Sequence, residues 1–358
     1  MNSRERTLAA LARQPIDRIP IDFWASEGMI AKLETAFGMP YDDFLDRHDI
    51  DLRYIEGPAY IGPTLPAGTD IWGVPRTTVR VPVNDGMETY KDVTTFPLAQ
   101  AASVAEIEAY PHWPSPDWFD YGCIAAQCRA LRARGRTVVF MGDRLNRVAQ
   151  LKPAMYLRGI EAILTDLALN PEIAHAVFRR IQTFYLDYLT RILEAADGLI
   201  DIVLTGDDFG SQQGLLISPA MWRTFIQPGF AAYIACIKRH GCIAMHHTCG
   251  AVSELLPDLV ASGLDVLQSL QPEATGMSLA DLKTRFGARI GFHGGISIQQ
   301  TMPHGTPARI EREIAAIAEL FRRDGGYIFG TAHNIQADTP IENVIALLQA
   351  YTRHGACV

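Results

Sequence analysis

Two histidines and a cysteine follow a short apolar run in residues 241–250, which read GCIAMHHTCG. The run is typical of a buried strand, along which side chains alternate between the two faces. His247 and Cys249 are therefore expected to point the same way, with His246 on the other face. Imidazole nitrogen and thiolate sulfur suit zinc, whose catalytic sites usually take three protein ligands and leave one position open. A core histidine beside an unreactive buried cysteine is the alternative.

A third ligand would have to come from another element, so the remaining elements matter. Further strands are predicted at residues 18–24, 137–141, 201–205, 265–270, 289–293 and 326–330. Stretches with helical spacing lie between them, such as residues 25–52. About seven or eight strand–helix units predict an α/β fold, the closed parallel TIM (β/α)8 barrel. A doubly wound open sheet is the competitor, but the chain has neither a Gly-rich dinucleotide fingerprint nor a Walker-type loop.

Residues 57–97 differ in composition from the rest, being crowded with Pro, Gly and β-branched residues. Asn84, Asp85 and Gly86 separate two β-branched runs, and an Asp-Gly pair in that position is a hairpin signal. We expect a single barrel domain spanning residues 1–358, with residues 57–97 as an N-terminal insertion that contains an antiparallel hairpin.

The active site of a TIM barrel gathers at the carboxyl ends of its strands. In this chain those ends carry polar and ligand-type residues, namely Trp24, Arg144, Asp207, Asp208, His246, Gln271, His293, His333 and Asn334. His333 is the expected third zinc ligand, because its strand and the strand of His247 end at the same mouth. His246 and His293 are reserve ligands. A histidine after a strand can also be a turn residue that bonds backbone.

The two adjacent carboxylates are the candidates for acid–base chemistry. Asp207 and Asp208 are predicted to be catalytic, positioning substrate, orienting a ligand imidazole or handling a proton, although such a pair can also simply close a turn. The residues predicted to contact substrate are Trp24, Arg144, His246, Gln271, His293 and Asn334. Arg144 would clamp a substrate carboxylate, unless it pairs with a neighbouring acid.

Composition narrows the classes of partner. The chain of 358 residues is 48% hydrophobic with a formal net charge of −8, and it has no Lys/Arg run. These values argue against a nucleic-acid surface or a membrane patch and favour small molecules or proteins. The N-terminus lacks the apolar core of a signal peptide, so a cytoplasmic location is expected. Six irregularly spaced cysteines are typical of reduced thiols.

Several motifs together resemble one known family over nearly the whole chain. They are residues 247–250 (HTCG), 206–208 leading to 216–219, 292–296 (FHGGI), 333–336 (HNIQ) running into 338–344, and, nearer the N-terminus, 13–20 and 68–74. This set resembles the uroporphyrinogen decarboxylase superfamily, and within it most closely the zinc-dependent cobalamin:thiol and corrinoid-linked methyltransferases. The resemblance implies a TIM barrel.

The resemblance also implies a metal site and a reaction. In that branch zinc is held by the histidine and cysteine of a His-x-Cys-Gly motif, here His247 and Cys249, and by a cysteine on a later loop. His333 stands in place of that cysteine. A neutral imidazole instead of a thiolate makes the site one unit more positive and a stronger Lewis acid. The implied reaction moves a methyl group between a small methoxy, methylamine or thioether substrate and a thiol or a corrinoid (cobalamin) carried by a partner protein.

Two other functions remain open. A metal-free decarboxylase of the same superfamily would need an Arg-Gln-Ala-Gly-Arg segment, but here Arg13 and Gln14 are followed by Pro15, Ile16 and Asp17. A non-catalytic subunit that binds metal or docks a corrinoid protein is the second alternative. The protein partners considered are a corrinoid protein and a second copy of the chain in a homodimer.

Overall fold

The computed structural model describes residues 1–83, 86–142 and 147–357. The strands, in chain order, are β1 (Leu52–Ile55), β2 (Ala59–Tyr60), β3 (Arg76–Val83), β4 (Gly86–Val93), β5 (Phe119–Asp120), β6 (Thr137–Phe140), β7 (Ile202–Gly206), β8 (Ile243–His247), β9 (Val266–Leu270), β10 (Gly291–Gly294) and β11 (Tyr327–Ile328). The helices are α1 (Ser3–Leu11), α2 (Glu27–Phe37), α3 (Tyr41–Arg47), α4 (Val104–Glu108), α5 (Ile124–Ala133), α6 (Leu151–Arg158), α7 (Ile160–Leu169), α8 (Pro171–Ala196), α9 (Pro219–Met221), α10 (Gln227–Arg239), α11 (Leu256–Ala261), α12 (Leu279–Phe286), α13 (Thr301–His304), α14 (Pro307–Phe321) and α15 (Ile341–His354). Arg144, predicted to bind substrate, lies outside the described residues, as do Asn84 and Asp85.

A parallel sheet of seven strands, in the order β1-β6-β7-β8-β9-β10-β11, forms the frame of the molecule. An extended segment near the N-terminus lies between its two edges. The amide of Asp22 donates to the carbonyl of Phe329 at 2.9 Å on one side, and the amide of Asp51 donates to the carbonyl of Ile21 at 2.9 Å on the other. The segment therefore supplies the missing eighth position, and the predicted TIM-barrel fold is confirmed.

The predicted helical stretch 25–52 was wrong in part. The structure divides it into α2 and α3, and its last residue, Leu52, opens β1. The sequence prediction missed β1 because a strand of only four residues, LRYI, is too short to show a period of its own. The predicted strand 18–24 is present as the extended segment, in which Ile21 bridges to Phe329; the next residue, Ala25, bridges to Ile335, and no longer ladder forms.

Two apolar layers hold the barrel together. Its interior is filled by side chains from alternate positions of the strands, namely Leu52, Val139, Ile202, Leu204, Met245, Val266 and Ile328. The intervening positions meet the helices outside. The helix with the clearest predicted face, α8, buries Ile173, Val177, Ile181, Phe184, Tyr188 and Ile192 as expected. Among the helices of the described ranges, none is long and apolar enough to span a bilayer.

The predicted hairpin is confirmed and lies at the mouth of the barrel. β3 and β4 pair antiparallel, with Arg76 opposite Val93. The buried carboxylate of Glu88 anchors the hairpin. It accepts a hydrogen bond from the Ser26 hydroxyl at 2.5 Å and another from the Ala337 amide at 2.6 Å. Ser26 and Ala337 belong to two loops at the carboxyl ends of barrel strands, so the hairpin is tied directly to the mouth.

Candidate metal centre

Three potential metal ligands converge at the mouth of the barrel. His247 is the last residue of β8, Cys249 follows it by two positions, and His333 lies on the loop after β11. One ligand atom from each lies within 4.8 Å of the others. Nε2 of His247 and Sγ of Cys249 are 3.4 Å apart. Two loops that are distant in sequence therefore present two imidazoles and a thiol to a common point.

Both imidazoles are oriented by amide oxygens. Nδ1 of His247 faces Oε1 of the buried Gln268, and Nδ1 of His333 faces Oδ1 of Asn334. An oxygen acceptor requires Nδ1 to carry the hydrogen, which makes Nε2 the nitrogen of each ring that can bind a metal. Trp24 stacks on His333 with ring centroids 5.1 Å apart and meets His247 edge-on at 5.9 Å.

Burial keeps the His247 and Cys249 side chains uncharged in the absence of a cation. Burial, followed by the charges of Arg147 and His333, lowers the pKa of His247 well below its usual value, so this imidazole is neutral. Burial and the neighbouring Asp208 carboxylate raise the pKa of the Cys249 thiol to about 12. Without a cation, His247 is therefore a neutral ring and Cys249 a protonated thiol. A divalent metal would displace the thiol proton on binding.

Asp208 lies beside the ligands and is paired with a lysine. Its Oδ1 accepts from the amide of Cys249 at 3.1 Å and lies 3.7 Å from Nε2 of His247. Its Oδ2 accepts from Nζ of Lys152 at 2.7 Å. Burial acts to raise the pKa of Asp208, but the Lys152 ammonium and the other donors outweigh it and hold the pKa well below the usual range. Asp208 is therefore an ionised group next to the metal ligands.

Asp207 is placed differently from its neighbour. Its two oxygens accept from the backbone amides of Gln150, Leu151 and Lys152 at 2.6–2.7 Å, which are the amides that open α6. A helix start leaves such amides without acceptors, and no side chain of the helix itself supplies one. Burial raises the pKa of Asp207 to about 6, against the effect of these three donors. The carboxylate caps a helix and does not line the cavity.

Two other predicted site residues, His246 and His293, also lie outside the ligand cluster. His246 faces the helices, stacking on Phe209 with centroids 5.3 Å apart, and its Nδ1 contacts the Thr205 hydroxyl. Burial lowers the pKa of His246 to about 3. His293 points into the barrel, where Nε2 is 2.9 Å from Asp22.

Gln271 supports the loop that carries Cys249. Its Oε1 accepts from the amide of Gly250 at 2.8 Å and from the side-chain amide of Gln212 at 3.1 Å. Gly250 has a φ of +84°, and a Cβ added there would lie 2.5 Å from the backbone of Gly210. Only glycine fits this close approach, so Gln271 and Gly250 together set the path of the chain after the cysteine.

A cavity of about 430 Å³ opens above the trio, within the usual range of small-molecule sites. Its lining includes Trp24, Asp208, His247 and His333, together with Arg147, Lys152 and Lys91 from the hairpin. Arg147 lies across Gly206, where a Cβ would come within 2.3 Å of its side chain, and its guanidinium is 5.4 Å from the Trp24 ring centroid.

Sequence reasoning missed Gln268, Lys152 and Arg147. A polar residue inside the apolar strand 265–270 was a usable signal for Gln268, because its parity places it on the same side of the sheet as His247. Lys152 carried only a weak signal, a cation in the first turn of a helix, where the helix dipole disfavours it. No local pattern marks Arg147, whose side chain lines the cavity beside Trp24.

The residues present fit a zinc ion. Bond lengths of about 2.0–2.1 Å to nitrogen and 2.3 Å to sulfur separate the two ligand atoms of a tetrahedral site by about 3.5 Å. The observed 3.4 Å between His247 Nε2 and Cys249 Sγ matches this separation. Three protein ligands would leave one coordination position of the ion open, as in catalytic zinc sites.

Comparison with known proteins identifies the family. The model of the uroporphyrinogen decarboxylase (URO-D) family matches residues 100–354, most of the chain. The chain belongs to this family, as its motifs predicted. A solved structure, a methyltransferase from Methanosarcina mazei, superposes with a TM-score of 0.66 at 18% identity and covers 99% of each chain. That likeness shows the shared fold.

Curated relatives of two kinds align with the chain. A methylated-thiol–coenzyme M methyltransferase from Methanosarcina mazei is 28% identical over 198 residues, which are 55% of this chain and 49% of the relative. The chain thus spans about half the length of that relative. A uroporphyrinogen decarboxylase from Coxiella burnetii is 22% identical over 370 aligned positions, covering 97% of this chain and 94% of the relative. One from Erwinia tasmaniensis is 36% identical over 75 residues, 21% of each chain.

Proposed function

We propose that this chain is a zinc-dependent methyltransferase. It transfers a methyl group between a small methoxy, methylamine or thioether substrate and a thiol or a corrinoid carried by a partner protein. The observation that carries the proposal is the convergence of His247, Cys249 and His333 within 4.8 Å of one another below a cavity. The similarity to a methyltransferase that acts on methylated thiols supports the same reaction class.

The chemistry follows from the donor set. A zinc ion with one open position acts as a Lewis acid, and binding there lowers the pKa of a thiol or polarises the heteroatom that carries a methyl group. His247 and His333 are neutral donors here, so the site keeps more positive charge than one with two thiolates. This favours a substrate that binds through oxygen or nitrogen as well as sulfur.

The surrounding residues have separate tasks in this proposal. Asp208 and Lys152 form an ion pair that lines the cavity. Asp208 holds the Cys249 amide in place, and the Lys152 ammonium keeps its carboxylate ionised until it accepts a proton that the substrate releases, which makes the carboxyl group neutral. Trp24 forms a flat apolar wall against both imidazoles and excludes water from the ligand side of the cavity.

A metal-free decarboxylase is the alternative, and the charges of the cavity disfavour it. A substrate with several carboxylates needs cations that are not already neutralised. Two cations of the lining are compensated, since Arg76 pairs with Asp70 at 2.6 Å and Lys152 pairs with Asp208 at 2.7 Å. A metal-binding trio would also have no task in such an enzyme.

Metal analysis tests the proposal. The wild-type protein, purified without added metal, is expected to carry about one zinc ion per chain. The variants His333→Ala and Cys249→Ala should lose it while retaining their circular dichroism spectrum. His240→Ala and Cys123→Ala are matched controls, because both residues lie away from the trio.

Activity is tested with methyl donors of the three classes and reduced cobalamin, by the absorbance of methylcobalamin. Transfer that depends on His333 and Cys249 supports the proposal. A wild-type protein that contains no zinc, binds none when it is supplied, and releases carbon dioxide from an acidic substrate would overturn it in favour of the decarboxylase.

A further inference from the structure

Strand β9 contains one residue whose backbone is unusual for a strand. Ser269 has a φ of +79°, in the left-handed region that disfavours a residue with a Cβ. The pairing with β10 explains it: His293 lies opposite Gln268, and Gly294 lies opposite Leu270. Ser269 therefore has no opposite residue and is the extra residue of a β-bulge.

The bulge changes where the Ser269 side chain points. Gln268 faces the barrel interior, where it meets His247, so regular alternation would turn Ser269 outward to the helices. Its hydroxyl lies at the mouth instead. Oγ is 3.5 Å from the sulfur of Cys249 and donates to the carbonyl of Ala332 at 2.8 Å.

One buried hydroxyl thus touches both loops that carry the metal-ligand trio. Cys249 is itself a member, and Ala332 immediately precedes His333. Ser269 is only 1% exposed, so water does not compete for these contacts. A hydroxyl has one hydrogen and two lone pairs, which allows it to donate to Ala332 while accepting from the Cys249 thiol. The Ser269 hydroxyl therefore links the two loops beside the metal ligands, where the distance between the loops determines whether an ion fits.

We propose that Ser269 is a positioning residue of the metal centre, holding the Cys249 sulfur at a set distance from the His333 loop. The inference rests on the proposed function, since it concerns the same metal. β-Bulges next to active sites commonly re-aim a side chain, and an unfavourable backbone persists where the surrounding structure requires it. Both observations are explained if the bulge exists to bring this hydroxyl to the sulfur.

Titration with Co²⁺ tests the role without relying on turnover. The protein is stripped with a chelator and titrated with the metal alone, following the thiolate-to-Co²⁺ charge-transfer absorption. Ser269→Ala removes the hydroxyl and keeps the unfavourable φ, whereas Ser269→Gly removes the hydroxyl and accommodates the φ. Ser297→Ala is the matched control, because Ser297 is 3% exposed and bonds Glu273.

Both Ser269 variants are expected to bind Co²⁺ about 10- to 100-fold more weakly, as for other groups that orient metal ligands, with a shifted charge-transfer band. Ser269→Gly should melt at or above the temperature of Ser269→Ala. Affinities within about twofold of wild type and an unchanged band would overturn the proposal, even if both variants melt earlier. Failure of the wild-type protein to bind Co²⁺ would overturn the metal centre itself.

Discussion

Replacing Gln268 should change the metal affinity in a direction set by the new side chain. Gln268 is 2% exposed, and its Oε1 faces Nδ1 of His247. Gln268→Leu leaves that Nδ1–H buried without an acceptor, which costs about 1–3 kcal/mol and frees the ring to change tautomer. Groups that orient a ligand imidazole typically contribute 10- to 100-fold in metal affinity, or about 1.4–2.7 kcal/mol. Gln268→Glu should act oppositely, because a carboxylate acceptor makes the imidazole a stronger ligand.

The assay is competition for zinc against a chromophoric chelator at one pH. A second readout is the melting temperature in excess zinc. The unfolding entropy of about 2.1 cal/mol/K per residue, taken over 358 residues, is about 0.75 kcal/mol/K. The affinity loss in Gln268→Leu should then lower the melting temperature by about 2–4 °C relative to wild type when both are measured with zinc.

Gln127→Leu is the control, since that amide bonds the backbone of Gly57 and belongs neither to the metal-ligand trio nor to the lining of the cavity. It should lose some stability equally with and without zinc. The reasoning is refuted if Gln268→Leu binds zinc within about twofold of wild type, because His247 would then need no orienting acceptor. It is also refuted if Gln268→Glu weakens binding as much as Gln268→Leu does.

Three further predictions concern stability and the mouth of the barrel. Asp207→Ala should lower the free energy of unfolding by about 1–3 kcal/mol, seen in chemical denaturation, because the amides that open α6 lose their acceptor; unchanged stability with lost activity would contradict the capping role. Glu88→Ala should release the hairpin and speed limited proteolysis within residues 76–93, and cleavage as slow as in wild type would contradict the anchoring contact. The Arg6 guanidinium, through its hydrogen bond, holds the pKa of Asp17 well below its usual value. Because the folded pKa is lowered, this stabilisation is present above about pH 4 and is lost as the pH falls below it, so Asp17→Asn should flatten the acid limb of a melting-temperature profile; an unchanged limb would contradict the pairing.

The barrel was predictable because its information is local and repeated. In each strand–helix unit, the spacing of the apolar residues changes from that of a strand to that of a helix. The unit of β8 also carries the His-x-Cys pair at the end of its strand. Side-chain parity then decides that His247 and Cys249 face the mouth while His246 faces the helices. The one barrel strand that was missed, β1, has four residues, too few to show a period above its surroundings.

The roles of the two adjacent aspartates depend on contacts made far away in sequence. Asp207 and Asp208 look equivalent in the chain, yet one caps α6 and the other lies between Lys152 and the Cys249 amide. The difference arises because alternation at the end of β7 turns one carboxylate toward a helix start and the other toward the mouth. Neither partner lies within 40 residues of the pair, as the separations of 55 and 41 positions show.

The sequence by itself determined the periodic elements, the strand ends at which ligand-type residues collect, and the family. Only the tertiary structure decided that His333 meets the His247 and Cys249 pair, that Gln268 orients one ring, and that a bulge turns Ser269 inward. The physical reason is that hydrophobic period and strand parity are properties of neighbouring residues. Loop paths and strand register are set by packing between segments that meet only when the barrel closes.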